Sequence, residues 1–173
     1  GSNLKFSENG CDFWALENSY YRKGYFVDIG ASDGVTASNT YLLEKFYKWE
    51  GICVDPNPVT LKSMCGAKVW MKLVSNDMGV KMNDHKVFTI TLTDLLKLYS
   101  APHKIDYISI DVEGAEIDVL KGFDFSEYDV KMFSIEYENE DNRALIYSTM
   151  SQNEYTRVDF DQNVVEDRYI KNG

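Results

Sequence analysis

The chain has 173 residues, and its 28 acidic residues outnumber its 18 lysines and arginines, which gives a formal charge of −10. This length predicts a single domain spanning 1–173, and a chain that is 44% hydrophobic and 27% charged is not intrinsically disordered. Because nucleic-acid phosphates are neutralised by clustered lysine and arginine, the acidic balance argues against a nucleic-acid partner. We expect a small partner that is neutral or cationic.

The cysteines and the chain start bear on the cellular location. Cys11, Cys53 and Cys65 are an odd number without CxxC spacing, which fits neither a disulfide framework nor a zinc site and favours a reducing, cytoplasmic location. The absence of a run of about 18 apolar residues predicts that the chain has no membrane span. Gly1 and Ser2 are typical of a cloning remnant, so the natural protein can extend further upstream. The oligomeric state is not predicted.

Strands and helices are predicted to alternate along the chain. The apolar runs predict strands at 25–31, 51–54, 68–74, 107–110 and 130–137. Helical patterns follow the first strand through Phe46 and recur at 91–99, with Thr91 or Thr93 as the cap, and at 117–123. The tail, 155–160 and 164–170 around a short turn, predicts an antiparallel hairpin. This alternation indicates an α/β fold with a mostly parallel sheet covered on both faces.

A glycine turn follows the first strand, where open α/β sheets bind their ligands. Gly30 and Gly34 lack a β-carbon, so a ligand can approach their backbone closely. Their G-x-x-x-G spacing differs from the G-x-G-x-x-G of dinucleotide folds. Asp28 and Asp33 flank Gly30 and would repel a phosphate but attract an ammonium or sulfonium group. The turn therefore favours a cationic ligand over a pyrophosphate.

Asp55 ends the second predicted strand, where a carboxylate can accept two hydrogen bonds from a ribose diol. The glycine turn and Asp55 together predict an adenosine-containing cofactor without a phosphate beside the glycines. S-adenosylmethionine fits that description.

Several ordered motifs resemble the FkbM-type methyltransferase domain. They are FVDIGASDG at 26–34, the segment 38–45, WEGICVDPNP at 49–58, DYISIDVEGAE at 106–116 with VLKGF at 119–123, TLTDLL at 91–96 and FSENG at 6–10. The resemblance implies a class I, Rossmann-like fold, a three-layer sandwich whose seven strands follow the order 3-2-1-4-5-7-6. It also implies S-adenosylmethionine-dependent methyl transfer to a hydroxyl oxygen of a sugar, a glycan or another small hydroxylated molecule.

The resemblance and the chemistry of the side chains together imply a cofactor site. The expected residues are Asp28, Gly30, Ala31, Asp33, Gly34, Asn39, Asp55, Pro56, Asn76, Asp77 and Asp111. In this set Asn39 and the amino end of its helix would hold the cofactor carboxylate. The family more often has Asp directly after Ser75, so the choice between Asn76 and Asp77 as the adenine partner stays open.

Catalysis is expected where the fourth strand ends, because a neutral hydroxyl needs a base or a metal to take or weaken its proton. The candidate catalytic residues are Asp111, Glu113 and Glu136, with Glu116 and Glu138 at the same rim. In one mechanism Glu113 is a general base whose acidic neighbours raise its pKa. In the other, Asp111, Glu113 and Glu136 bind Mg²⁺. For Glu116, the first turn of a helix favours a stabilising role over a catalytic one.

The two histidines are weaker catalytic candidates than the carboxyl groups. His103 should lie at the opposite end of the sheet, exposed to solvent, and His85 lies within 79–87, where a longer lid is typical of the family. The segment predicts a shortened lid or a missing mobile loop.

The alternatives to an O-methyltransferase are an N- or carboxyl-methyltransferase on the same scaffold, a non-enzymatic interaction module and, more distantly, a dinucleotide oxidoreductase.

Overall fold

The computed structural model describes residues 10–30, 41–54, 68–70, 73–74, 80–82, 85–87, 89–158 and 165–173. Its helices are α1 (Cys11–Asn18), α2 (Tyr41–Tyr47), α3 (Leu92–Leu98), α4 (Glu116–Lys121) and α5 (Glu140–Gln152). Its strands are β1 (Tyr25–Ile29), β2 (Glu50–Val54), β3 (Lys68–Trp70), β4 (Leu73–Val74), β5 (Val80–Met82), β6 (His85–Val87), β7 (Thr89–Ile90), β8 (Lys104–Ile110), β9 (Asp129–Glu136), β10 (Tyr155–Val158) and β11 (Glu166–Lys171). The predicted α/β fold is confirmed.

The central sheet has the strand order β3-β2-β1-β8-β9-β11-β10. Strands β3, β2, β1, β8 and β9 pair in parallel, whereas β11 pairs antiparallel with both β9 and β10. The predicted terminal hairpin is thus an antiparallel pair, and its second strand lies inside the sheet between β9 and β10. Because β1 and β8 are adjacent and parallel, their carboxyl ends meet at one rim.

Helices cover both faces of this sheet. The apolar residues of α3, α4 and α5 pack against one face, around Val27, Ile108 and Phe133. The apolar residues of α1 and α2 pack against the other, around Phe26 and Tyr107. Successive strand residues point to opposite faces, so the apolar residues of β1 and β8 contribute to both cores.

Three parts of the fold differ from the expectations. The predicted strand 68–74 divides, because β3 pairs with β2 while β4 pairs with β7 in a separate small sheet. Within 79–87, β5 and β6 form an antiparallel pair. Helices α1 and α5 are additional to the predicted elements. In helix α5 only Ile146 and Met150 are buried, and most of the other residues are polar. The apolar periodicity of this segment is therefore weak in the sequence.

The amino end of α3 follows the expected capping. The Thr91 side chain accepts a hydrogen bond from the backbone N–H of Asp94 at 3.1 Å, so Thr91 is the cap. Thr93 instead accepts a bond from the backbone N–H of Asp124 at 2.8 Å, which ties α3 to the loop after α4. A search of the described residues for a helix with the length and apolarity needed to cross a bilayer finds none.

Candidate active site

The site begins with the turn that ends β1. The backbone N–H of Gly30 donates to the carbonyl of Val54 at 2.8 Å, and the backbone N–H of Asp111 donates to the carbonyl of Ile29 at 2.9 Å. Gly30 has φ +88°, and a β-carbon at this position would lie 1.8 Å from the carbonyl oxygen of Asp111. Only glycine therefore allows the ends of β1 and β8 to approach this closely.

A polar row crosses the sheet just below the rim, on the face covered by α1. In register, Asp28 lies opposite Ser109, Ser109 opposite Ser134, and Ser134 opposite Arg168. All four side chains are buried, and Asp28 is 3% exposed. Burying polar side chains costs free energy unless they have partners, so a row of this kind marks where the apolar core gives way to a polar site.

Two carboxyl groups stand directly above this row. Asp111 follows the last residue of β8, and Glu136 is the last residue of the neighbouring parallel strand β9. Burial, a hydrogen bond to Asp111 and the negative charges of Asp111, Glu116 and Glu113 raise the pKa of Glu136 to about 8. Because its pKa lies above neutrality, Glu136 is mostly protonated at pH 7 and can donate that proton to Asp111.

The loop after β8 carries two further carboxyl groups, those of Glu113 and Glu116. Glu113 has φ +50° and Gly114 has φ +101°. The side chain of Glu116 is fully buried and accepts hydrogen bonds from the backbone N–H groups of Val112 at 2.9 Å and Gly114 at 3.0 Å. Burial raises the pKa of Glu116, against the effect of these N–H donors. Glu116 thus holds the loop in shape, in keeping with the stabilising role expected for it.

Glu138 approaches the same loop from the strand β9 side. A β-carbon at Gly114 would lie 2.3 Å from the Glu138 Oε2 atom. Glu113 and Glu138 are both exposed at this rim. The structure therefore brings Asp111, Glu113, Glu136 and Glu138 to one edge of the sheet, and the negative charges of Asp111 and Glu113 contribute to the raised pKa of Glu136.

The sequence reasoning missed a buried network beside this rim. Cys11 is fully buried, as expected of core packing, but its thiol also donates a hydrogen bond to Glu166 Oε1 at 2.6 Å. Glu166 lies opposite Glu136 in the β9–β11 register, and its carboxylate is 3.5 Å from Arg168 Nε. The Tyr107 hydroxyl is 2.5 Å from Ser134 Oγ. The alternation Glu166-x-Arg168 in a predicted strand was the available signal.

The remaining predicted residues divide into two groups. His103 is exposed, its ring Nδ1 lies 2.8 Å from the Glu127 carbonyl oxygen, and it precedes β8 at the end opposite the rim, as expected. The residues lying outside those that the structure describes are Ala31, Asp33, Gly34, Asn39, Asp55, Pro56, Asn76 and Asp77. Their roles stay predictions.

The magnesium alternative finds no support. Within the described ranges, which include Asp111, Glu113 and Glu136, there is no group of three or more acidic, histidine or cysteine side chains arranged to hold a metal ion. Mg²⁺ binds to deprotonated carboxylate oxygens directed at the ion, an arrangement that these described side chains do not form.

Solved structures with a similar fold are methyltransferases with different substrates. The chain matches magnesium protoporphyrin IX methyltransferase from Synechocystis PCC 6803, solved with bound S-adenosylmethionine, at 10% identity and a TM-score of 0.58, covering 93% of this chain and 76% of that one. It matches precorrin-6y C5,15-methyltransferase from Geobacter metallireducens GS-15 at 12% identity and a TM-score of 0.54, covering 92% and 88%. At these identities the likeness shows the fold alone.

Sequence comparison gives the family. No curated protein matches the chain significantly. A family model described as the methyltransferase FkbM domain matches residues 66–156, just over half of the chain. The match includes the loop with Asp111, Glu113 and Glu116 and the strand that carries Glu136. The chain therefore belongs to the FkbM methyltransferase domain family.

Proposed function

We propose that the protein is an S-adenosylmethionine-dependent O-methyltransferase acting on a hydroxyl of a sugar, a glycan or another small hydroxylated metabolite. The observation that carries this proposal is the hydrogen-bonded pair of Glu136 and Asp111 at the carboxyl ends of two adjacent strands. A hydroxyl oxygen must lose its proton during methyl transfer, whereas a deprotonated amine or a carboxylate has no such need. A strong carboxylate base at the rim therefore favours a hydroxyl acceptor.

The described residues fit the cofactor. S-adenosylmethionine would supply a methyl group activated by a neighbouring positive charge. Asp28 and Asp111 would hold its positive half beside Gly30, where the carboxyl ends of β1 and β8 approach each other closely. The acidic rim suits a cation, because opposite charges at short range stabilise each other most strongly in partly buried surroundings. Ala31, Asp33, Gly34, Asn39, Asp55, Pro56, Asn76 and Asp77 complete the proposed site.

In this mechanism Glu136 is the base. A carboxyl group with a pKa of about 8 is partly deprotonated at mildly alkaline pH and accepts a proton more readily than an ordinary carboxylate. Asp111 orients Glu136 through their hydrogen bond, and Glu113 adds negative charge that strengthens the base. The rest of the rate acceleration comes from holding the acceptor hydroxyl in line with the methyl group. The base is therefore Glu136 in this proposal, with Glu113 in a supporting role.

The strand order of the central sheet supports the class I methyltransferase arrangement that the resemblance implies. Structures of similar fold act on chemically different acceptors, so the fold alone does not select one. The proposed acceptor class rests on the carboxyl pair instead.

The test is a screen with S-adenosylmethionine carrying a labelled methyl group, against sugars, nucleotide sugars and glycoconjugates. We expect label in an ether linkage to a sugar carbon, identified by NMR, at a rate that EDTA does not change. Label found on nitrogen or in an alkali-labile ester would overturn the acceptor class. Loss of transfer with EDTA would restore the metal mechanism. Absence of S-adenosylmethionine binding in calorimetry would overturn the proposal that the protein is a methyltransferase enzyme.

A further inference from the structure

Two short segments, each with two aromatic and two cationic residues, lie side by side at the end of the sheet opposite the rim. Residues 20–23 are Tyr-Tyr-Arg-Lys and residues 45–48 are Lys-Phe-Tyr-Lys. The rings of Tyr21 and Tyr47 touch, with centroids 5.9 Å apart, and the backbone N–H of Glu50 donates to the carbonyl of Gly24 just beyond. We call these eight residues the aromatic–cationic patch.

The patch exposes large side chains. Tyr20 is 77% exposed, Tyr21 52% and Phe46 50%. Single exposed apolar residues are ordinary on protein surfaces, but a contiguous group rimmed by charges marks an interaction surface. These rings are exposed to water in the free protein. Burying them against a partner is therefore favoured by the hydrophobic effect.

The backbone holds these side chains outward in an unfavourable conformation. Tyr20 and Tyr21 have φ +53° and +58°, and Lys48 has φ +63°. Tyr20 is the residue after the α1 cap, where helices prefer glycine, and the bonds Tyr20 N–H to Glu17 carbonyl and Tyr21 N–H to Leu16 carbonyl fix this ending. Tyrosine at this position makes folding less favourable, which indicates that its side chain serves another purpose.

The charges of the patch are available to a partner. Arg22, Lys23 and Lys48 form no salt bridge with any residue that the structure describes, and Lys45 is 3.7 Å from Glu44. In a chain with a formal charge of −10, a cluster of four cations beside aromatic rings, three of them without a salt bridge to any described residue, is complementary to an anionic surface.

The ring geometry distinguishes the kinds of anionic partner. Tyr21 and Tyr47 meet at 54°, and the Lys131 ammonium lies 5.7 Å from the centre of the Tyr20 ring. Successive nucleic-acid bases stack on ring faces that are aligned along the strand, whereas the rings of Tyr21 and Tyr47 are tilted relative to each other. Tyrosine rings flanked by lysine and arginine instead suit the headgroup level of a bilayer, where the ring enters the interface and the cations meet anionic lipids.

We propose that the aromatic–cationic patch docks the protein on a membrane surface that carries anionic lipids. The carboxyl rim with Glu136 lies at the other end of the strands, so docking leaves the candidate active site facing away from the lipid. This inference stands independently of the methyl-transfer chemistry.

The experiment is co-sedimentation with vesicles of phosphatidylcholine, with and without phosphatidylserine. We expect the protein to sediment with the vesicles that contain phosphatidylserine, to remain in solution with phosphatidylcholine alone, and to be released by salt. Removing two cations in Arg22→Ser/Lys23→Ser should weaken the partition about thirtyfold at low salt. Tyr20→Gly/Tyr21→Gly should weaken it at least about tenfold.

Tyr20→Gly/Tyr21→Gly places glycine at two positions with a left-handed backbone conformation, which glycine adopts without strain. This variant should therefore still fold. Ser100→Gly is its matched control: Ser100 has φ +52° and ends α3 with the same bonds, from Ser100 N–H to Lys97 and from Ala101 N–H to Leu96. Ser100→Gly should bind vesicles like the unaltered protein. The proposal fails if the tyrosine variant binds equally well, if no vesicle is bound, or if a single-stranded oligonucleotide is bound while vesicles are not.

Discussion

Glu136 and Asp111 lie at the carboxyl ends of two adjacent parallel strands, within reach of a hydrogen bond, and burial together with Asp111 raises the pKa of Glu136 to about 8. The arrangement is unfavourable for a purely structural role, because an Asp–Glu pair gains little stability and depends on pH. It is useful in a site that must take a proton from a neutral hydroxyl.

Glu136→Gln should lower kcat/KM by about a hundredfold to ten-thousandfold, the usual contribution of a general base. S-adenosylhomocysteine binding, measured by calorimetry, should be unchanged, since glutamine keeps the shape and a hydrogen bond to Asp111. Glu138→Gln, at the same rim but exposed, is the control and should retain most activity. If Glu113→Gln is the inactive variant and Glu136→Gln is active, the base is Glu113.

Stability should depend on pH through Glu136. Its pKa is about 8 in the folded protein, above the ordinary glutamate value of 4.5, so the folded state binds more protons between these values and stability falls as pH rises from about 4.5 to 8. Relative to Glu136→Gln, the unaltered protein should lose about 1 to 2 kcal/mol between pH 5 and pH 8, an amount reduced by solvent screening. Urea denaturation at both pH values measures it. A constant difference between the two proteins would show that Glu136 titrates normally.

Gly30→Ala should destabilise the fold by about 3 kcal/mol or more, because its β-carbon would collide with the Asp111 carbonyl as well as strain the backbone. Gly10→Ala isolates the strain alone, since Gly10 has φ +76° and no atom of the described part of the chain lies within 4 Å of the added carbon. It should cost about 1 kcal/mol. Thermal unfolding compares the two. Equal losses would mean that the close approach of β1 and β8 is unimportant.

Cys11 should be unreactive toward thiol reagents in the folded protein at neutral pH, because burial raises the pKa of its thiol. Cys11→Ala should cost about 1 to 3 kcal/mol by removing a donor from the buried carboxylate of Glu166. Cys11→Ser keeps a donor and should lose less. A Cys11→Ala protein as stable as Cys11→Ser would show that the thiol acts only as packing.

Much of the fold follows from local patterns in the sequence. Apolar runs interrupted by turns locate β1, β2, β8 and β9, and the alternation with helices predicts the parallel sheet. Helix α5 was missed because most of its thirteen residues face solvent and only Ile146 and Met150 are buried. The division of 68–74 was missed because pairing partners, β2 for one half and β7 for the other, are non-local.

The candidate site was only partly predictable. Strand ends place Asp111 and Glu136 at one rim, but their hydrogen bond depends on the register of β8 with β9 and on burial. The link from Cys11 to Glu166 joins residues at opposite ends of the chain, and no spacing rule reaches that far. Serines inside apolar strands, such as Ser109 and Ser134, gain meaning only when the sheet aligns them in one polar row.

The most direct test of the raised pKa is an NMR titration of the Glu136 side-chain carboxyl in protein labelled with ¹³C-glutamate, with Glu136→Gln used to assign the signal. We expect a midpoint near pH 8 in the unaltered protein and a clearly lower midpoint in Asp111→Asn, which removes a negative charge beside Glu136. A midpoint in the range of ordinary glutamates, unchanged by Asp111→Asn, would contradict the account.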